Sequence, residues 1–569
     1  MNPSVPLLLF AWLVVLAILL APVLATTLWL RSRTVTDERL LLTIPLCVTA
    51  ALGYAAFYLT FFHPTLGRLF AFAVASACWF AIVWFARRPC IRPHLRSAAA
   101  PLLVVLLAGA FYLSLLYTPI LTQDYGDASA IRFVHQLPPD PILPALLGER
   151  LLAGDRPPPF AGDWLSSDRP PLQCGLYLLV LPWAEIINLP PRLAYQCLGT
   201  LAQLAWLPAV WLLARALGRN RHTAFGCILL VGVGGFALHH TIFVWPKLIA
   251  AAFTVFAGLF VLAPRADATR LDGILAGACA ACAWLAHGST AFSLLGLGAA
   301  WLIFRAPNRR NIPALLVTFA LLALPWILYQ RFIDPPGNRL LKWHLGGVID
   351  IDARGTWETL RDAYRPLTLE QWWATRRANF FMTIGGNFRE IFDLSAATSA
   401  HRRGEEFFFL FRAFGVLLFA WPLWLLTRFL PHRLRRPTPP FLLRGLIWSA
   451  LTFAVWIALM FIRSSTLIHQ GAYALPLVLF TISVILALDL PAFLRFPLLG
   501  WHIAYFATTW LAYHGPAPIN ISMIAATAMT LIALAALYLY VRRNEALTPA
   551  QTSTSPAQTP SSSTTASRA

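Results

Sequence analysis

The stretch LLLFAWLVVLAILLAPVLATTLWL, Leu7 to Leu30, holds no charged residue and runs straight into Arg31-Ser32-Arg33. A helix needs roughly 20 mainly apolar residues to cross the hydrocarbon core of a bilayer, and this run has that length. The pattern returns in Leu40 to Phe62 and in Ala98 to Tyr117. Over all 569 residues, 58% are hydrophobic and 12% charged, with a mean hydropathy of +0.66; a soluble domain carries about a quarter charged residues. Met1 to Leu30 lacks a basic n-region and a clear cleavage site, so a retained span is expected, not a signal peptide. These features predict an all-α polytopic membrane protein.

The apolar runs fall at 6–30, 40–62, 67–86, 98–119, 191–216, 223–241, 247–264, 272–287, 290–304, 313–332, 405–428, 441–462, 472–490, 493–512 and 519–541, which corresponds to about 13–15 transmembrane helices. The two runs flanking His287 are short and read as a broken hairpin. The formal charge of +20 would suggest nucleic acid in a soluble protein. Here the arginines sit in short loops instead: Arg31, Arg33 and Arg39; Arg87, Arg88, Arg92 and Arg96; Arg215, Arg219 and Arg221; Arg265 and Arg270; Arg305, Arg309 and Arg310; Arg428, Arg433, Arg435 and Arg436; Arg542 and Arg543. All fall on one side if 173–188 is a surface helix. By the positive-inside rule that side is cytoplasmic, with the amino terminus outside and the carboxyl terminus inside. No nucleic-acid partner is expected.

Two long connections, about 120–190 and 333–404, then land on the outer face. They carry most of the acidic residues, together with Trp164, Trp343, Trp357, Trp372 and Trp373, and should fold on the membrane surface. The end from about Glu545 to Ala569 is rich in Ser, Thr, Ala, Pro and Gln and should be disordered. The eight cysteines are scattered; Cys279 and Cys282 form C-x-x-C in an Ala-rich run, where packing of small residues is the expected role. No P-loop and no GxSxG elbow occurs, which argues against an ATP-driven pump and a serine hydrolase.

The first long loop opens with Gln123-Asp124-Tyr125-Gly126-Asp127-Ala128-Ser129 and closes with Asp163-Trp164-Leu165-Ser166-Ser167-Asp168-Arg169-Pro170-Pro171-Leu172. Two carboxylates at the ends of one loop can divide labour, one taking a proton while the other orients a partner. Leu238-His239-His240-Thr241-Ile242-Phe243-Val244-Trp245-Pro246-Lys247 puts ionisable residues between two apolar runs, where such residues are costly and often functional. Trp245 and Lys247 also suit interface anchoring with snorkelling. His287 and His469 lie at other outer turns, where helix capping is the commoner role.

This arrangement resembles the GT-C superfamily of membrane glycosyltransferases, in particular aminoarabinose transferases and protein O-mannosyltransferases, over about 98–333. By that resemblance Asp127 matches the catalytic acidic residue, with Asp124 the competing match because Ala128 stands where the motif's second acid would be. Asp168 and Arg169 match the later acidic-basic-Pro element. Pro190-Pro191-Arg192-Leu193-Ala194 resembles the family's arginine at the outer start of the next span. The resemblance implies transfer of a sugar from a polyprenyl-phosphate donor to a glycan, lipid or protein acceptor at the outer face of a bacterial inner membrane. An aspartate would serve as general base, and cations would stabilise the phosphate leaving group. Suitable cations on that face are Arg169, Arg192, Lys247, Lys342 and Arg463; His240 would line the cavity, and His287 and His469 are further substrate-binding candidates. The organisation expected is extra helices over 1–97, a GT-C-like core over 98–333 with its loop 120–190, a second outer loop over 334–404, carboxyl-terminal helices over 405–544 and a tail over 545–569. Some GT-C enzymes use a divalent cation. Adjacent His239 and His240 point in different directions on a helix and lack zinc-motif spacing, so no metal is expected. A transporter or flippase of a lipid-linked or small polar substrate, and a non-catalytic envelope-glycan scaffold, are the alternatives.

Overall fold

In the computed structural model, residues 3–121, 128–134, 140–155, 161–263, 269–304, 311–384, 391–392, 394, 414–429, 431, 437–461, 474–513 and 515–547 are described. Asp124, Asp127, Arg463 and His469 lie outside them, as does the chain beyond 547. The described residues form helices and no strand, with isolated bridges only, such as Pro119 with Ile519.

Local chemistry sets the helix ends. The Ser4 side chain accepts from Leu7 N at 3.3 Å and starts α1 (Val5–Ser32). Asp37 caps α2 (Glu38–Phe62). His63 closes α2 and accepts from Thr65 N at 3.3 Å to open α3 (Pro64–Ala86), so one residue makes the turn of a tight hairpin. Then come α4 (Arg92–Leu116), α5 (Ala128–Phe133), α6 (Leu143–Ala153), α7 (Leu172–Ile186), α8 (Pro191–Gln203), α9 (Trp206–Ala216), α10 (Arg221–Gly232), α11 (Gly235–Ile242), α12 (Lys247–Leu262), α13 (Arg270–Ala286), α14 (Thr290–Phe304) and α15 (Ile312–Leu328), which ends in a π-turn over Tyr329–Ile333. The second long connection holds α16 (Arg339–Gly346), α17 (Thr356–Tyr364) and α18 (Leu369–Ile384). The last helices are α19 (Ala420–Leu426), α20 (Leu442–Leu459), α21 (Ala474–Asp489), α22 (Ala492–Tyr505) and α23 (Ile521–Leu547).

Among the described residues, 8 helices are long and apolar enough to cross a membrane, or up to 9 if α10 and α11, bent by 68°, count as one broken span. Shorter apolar helices include α7, α12, α14 and α21. The molecule is thus a multi-pass membrane protein built of helices. At its centre stands α12, almost every residue of which is buried.

Two ends of the bundle differ in chemistry. At one, Glu38 accepts from Arg215 Nε and Arg221 Nη2, both at 3.1 Å, and from Trp211 Nε1 at 3.3 Å. Arg219 pairs with Asp489 at 2.5 Å, and Arg39 reaches Asp272 at 4.0 Å. Arginine clusters far apart in the chain therefore meet at one face. At the opposite end the loops beyond α4 and before α23 pair, Ile120 N donating to Pro518 O at 2.7 Å, and Phe461 N, just past α20, donates to His344 O at 2.8 Å.

Helix α7 does not cross the bundle. Its first turn packs on Gly53, nine residues before the end of α2, and Glu185 in its last turn pairs with Arg68 in the first turns of α3, so both its ends lie in the half of the bundle away from the arginine clusters. It is nevertheless buried by protein along most of its length, where a helix floating in the interface was expected. The approach that buries it needs glycine on both sides: a Cβ on Gly175 would overlap the Gly53 carbonyl.

The second long connection also departs from a simple outer loop. Beyond α18 the chain reaches Ile391, whose carbonyl accepts from Trp501 Nε1 at 3.1 Å, while Phe392 meets the Trp501 ring. Trp501 lies well inside α22, so this part of the connection has left the face and entered the helical layer.

Candidate functional site

The chain bends sharply after Trp164 because Asp168 folds back on its own turn, Oδ2 accepting from Leu165 N at 3.0 Å. That turn presents Arg169, which lies over the Trp164 ring at 4.1 Å and forms an ion pair with Asp140 at 3.2 Å. Arg339, brought by α16, approaches the same tryptophan at 5.3 Å. It holds Asp168 at 3.3 Å and also pairs with Asp163. Two guanidinium groups thus flank one indole, each with its own carboxylate.

The second connection locks this turn in place. Asp334 accepts from Ser166 Oγ at 2.5 Å and from Ser167 N at 3.0 Å, and Gln330 Nε2 donates to Ser167 O at 2.9 Å. Burial pushes the Asp168 carboxyl above the ordinary carboxylate range, opposed by its bond to Leu165 N and by the charges of Arg339 and Arg169.

Lys247 is the first residue of α12 and is fully buried, with Nζ 3.3 Å from the Trp245 ring centroid. It lies within electrostatic reach of Asp140 and Arg169. His287, between α13 and α14, feels the charges of Lys247, Arg169 and His344. Its Nδ1 accepts from Ser289 N at 3.3 Å, which puts the ring proton on Nε2. His344 of α16 is held down to about 4 by burial and, second, by Arg169. His240 feels Lys247. So Asp168, Arg169, His240, Lys247 and His287, named from the sequence, gather in one region with Asp140, Arg339 and His344.

Other expected site residues do not join. Lys342 turns away: its ammonium faces Asp352 Oδ1 at 2.5 Å, Asp352 O at 3.3 Å and Arg354 O at 3.4 Å. An ammonium has three protons, so this lysine is spent on folding the loop after α16. Those same bonds, with the ones from Arg354, hold Asp352 down to about 2. Arg192 pairs with Glu149 at 3.3 Å and joins α8 to α6. His239 packs among Phe133, Phe243 and Trp510.

A polar network supports Lys247 from behind. Gln203 Oε1 accepts from Leu248 N at 3.0 Å and Ile249 N at 3.2 Å, capping the first turn of α12. Gln203 Nε2 donates to Gln173, which donates to Tyr195 OH at 2.7 Å and Val244 O at 2.8 Å. Gln196 Nε2 donates to Ile242 O at 2.9 Å. The break between α11 and α12 frees backbone groups inside an apolar bundle, and these glutamines satisfy them. They carried a signal in the sequence: Gln196 and Gln203 are seven residues apart, on one helix face, within an apolar run.

Among the described residues, no group of three or more His, Cys, Asp or Glu side chains is placed to hold a metal ion. Cys47 and Cys279 approach to 3.6 Å between α2 and α13, as neighbouring thiols. No family model, no curated protein and no solved structure matches this chain, so its chemistry has to be argued from its own residues.

Proposed function

We propose that the protein is a membrane glycosyltransferase of the GT-C kind, moving a sugar from a polyprenyl-phosphate donor to an acceptor at the face opposite the arginine clusters. The observation that carries this is the convergence of Arg169 and Lys247, with His287 and His344, under a turn held by Asp168, Arg339 and Asp334. A lipid phosphate leaving group gains negative charge as the glycosidic bond breaks. Two buried or half-buried cations in a site of low dielectric stabilise that charge far more than they would in water. The acceptor hydroxyl loses its proton to an aspartate, Asp127 or Asp124, both ahead of Ala128 in the sequence. Asp168, held by Arg339, shapes the field around Arg169.

The arginine-rich face is cytoplasmic in this reading. The chain then threads about 13–15 helices through a bacterial inner membrane, with its amino terminus outside. The proposal is tested by Asp127→Asn and Asp124→Asn in membrane-embedded protein, assayed for transfer from a polyprenyl-phosphate sugar. Loss of transfer in one of them identifies the base. Undiminished transfer in both removes aspartate catalysis from this loop.

The 68° bend between α10 and α11 favours a second reading, a transporter or flippase, since broken helices build the sites of many transporters. Movement of a lipid-linked substrate across sealed vesicles without a new glycosidic product would support that reading over the first.

A further inference from the structure

Helix α18 is folded inside out. Its protein-facing side is polar: Arg376, Asn379 and Thr383 are 3%, 0% and 0% exposed. Its outward side carries large apolar groups around the exposed Arg377: Trp373, Phe380 and Phe381 are 60%, 40% and 58% exposed. A helix in water hides its apolar stripe and shows its polar one, and large apolar patches left on a soluble surface mark an interaction site.

The inward polar groups have a definite task. Helix α20 ends at Leu459, and its last carbonyls have no partner within the helix. Arg376 Nη1 donates to Ala458 O and, at 3.3 Å, to Ile457 O; Asn379 Nδ2 donates to Met460 O at 2.8 Å and to Ile457 O at 3.3 Å. The cation also sits well at a helix carboxyl terminus.

These contacts fix the depth of α18. Arg376 lies at the end of α20, and one turn later the Phe380 ring meets Phe453 at 5.8 Å between centroids. Phe453 precedes Met460 by seven residues, roughly 10 Å along a helix axis. Further on, Ile391 is buried against Trp501. The chain therefore descends through α18 from the face into the layer of the spanning helices, with its aromatic side turned away from the protein. Arg377, exposed and 5.7 Å from the Phe381 ring, has the reach to snorkel toward headgroups.

We infer that α18 is a membrane-embedded helix that enters one leaflet beside α20, and that the partner of Trp373, Phe380 and Phe381 is lipid acyl chain. The occupant follows from the depth, from the packing against α20, and from the aromatic groups of the outward face, where Arg377 is the cation able to reach headgroups. This inference is independent of the glycosyltransferase reading.

The test is photocrosslinking of full-length protein in phospholipid vesicles, with benzoylphenylalanine replacing Trp373 or Phe381 in separate variants. Arg361, exposed on α17, is the control position. The expected result is a mass increase of one phospholipid at 373 and 381, several-fold above that at 361. Crosslinks from 373 and 381 to a second polypeptide, or lipid adducts no more frequent than at 361, overturn the inference. A result needs only one of the two variants to fold, because each is read against the control at 361 on its own.

Discussion

Arg169 connects the two halves of the candidate site, pairing with Asp140 while its charge reaches Lys247, His287 and His344. Its neighbour Arg339 is the structural counterpart. Replacing Arg339 by Ala leaves buried Asp168 without its paired guanidinium, with only the more distant charge of Arg169, and breaking a buried pair costs about 3 kcal/mol. The thermal midpoint of purified Arg339→Ala should therefore fall clearly below wild type, and Arg339→Lys should recover part of the loss; equal midpoints would remove the clamp. His344 gives a pH dependence. Its proton binds more weakly in the folded chain, about 4, than at the ordinary 6.5. The unfolded chain thus takes the proton first as pH falls from 6.5 toward 4, and stability declines across that window while being unaffected above it. His344→Gln should show a shallower decline in a melting series over the same range. At this scale the sequence revealed Asp168, Arg169, Lys247 and His287, because ionisable residues next to apolar runs stand out. It concealed Arg339 and His344, which lie in α16 and matter only through a fold that brings 163–169 against 330–344. Lys342 was conspicuous as one of two lysines, but rarity carries no information on what its ammonium faces.

Among the elements, the break at α10–α11–α12 is the most consequential. Hydrophobic length revealed a helical multi-pass chain, since crossing a bilayer sets a minimum run; among the described residues 8 helices, or up to 9, meet that length and apolarity, against about 13–15 expected. It could not reveal that α10 and α11 bend by 68°, because a bend depends on groups distant in the chain that satisfy the freed backbone, here Tyr112 OH donating to Gly232 O at 2.8 Å. The Gly232-Val233-Gly234-Gly235 stretch was the local sign. Gly235 is required there, since a Cβ would fall 2.4 Å from Trp510. Gly235→Ala should cost about 1–3 kcal/mol by overpacking, visible as a lower thermal midpoint. Gln203→Leu removes the acceptor of Leu248 N and Ile249 N and should cost about 1–2 kcal/mol, visible as a lower thermal midpoint. Unchanged melting of Gln203→Leu would mean that the cap contributes nothing. Helix α18 was hidden for a different reason: its composition is balanced, and only burial distinguishes an inside-out helix from an ordinary amphipathic one.

For the whole molecule, charge segregation was legible from loop arginines, and Glu38 with Arg215 and Arg221 brings those loops together in space. Reporter fusions test which face is which. A fluorescent protein fused after Leu547 should fluoresce, and alkaline phosphatase inserted after Gly515 should be active; the opposite pattern would reverse the sidedness and remove a periplasmic donor site. The central claim is that Arg169 and Lys247 receive a lipid phosphate. It is tested most directly by labelling the protein in vesicles with a photoactivatable polyprenyl phosphate, in wild type, Arg169→Gln and Lys247→Gln. Charge-assisted bonds contribute about 1.5–3 kcal/mol each, so each folded variant should bind about ten-fold more weakly or worse, with wild-type labelling competed by unlabelled polyprenyl phosphate. Equal, uncompeted labelling of all three proteins would contradict the account.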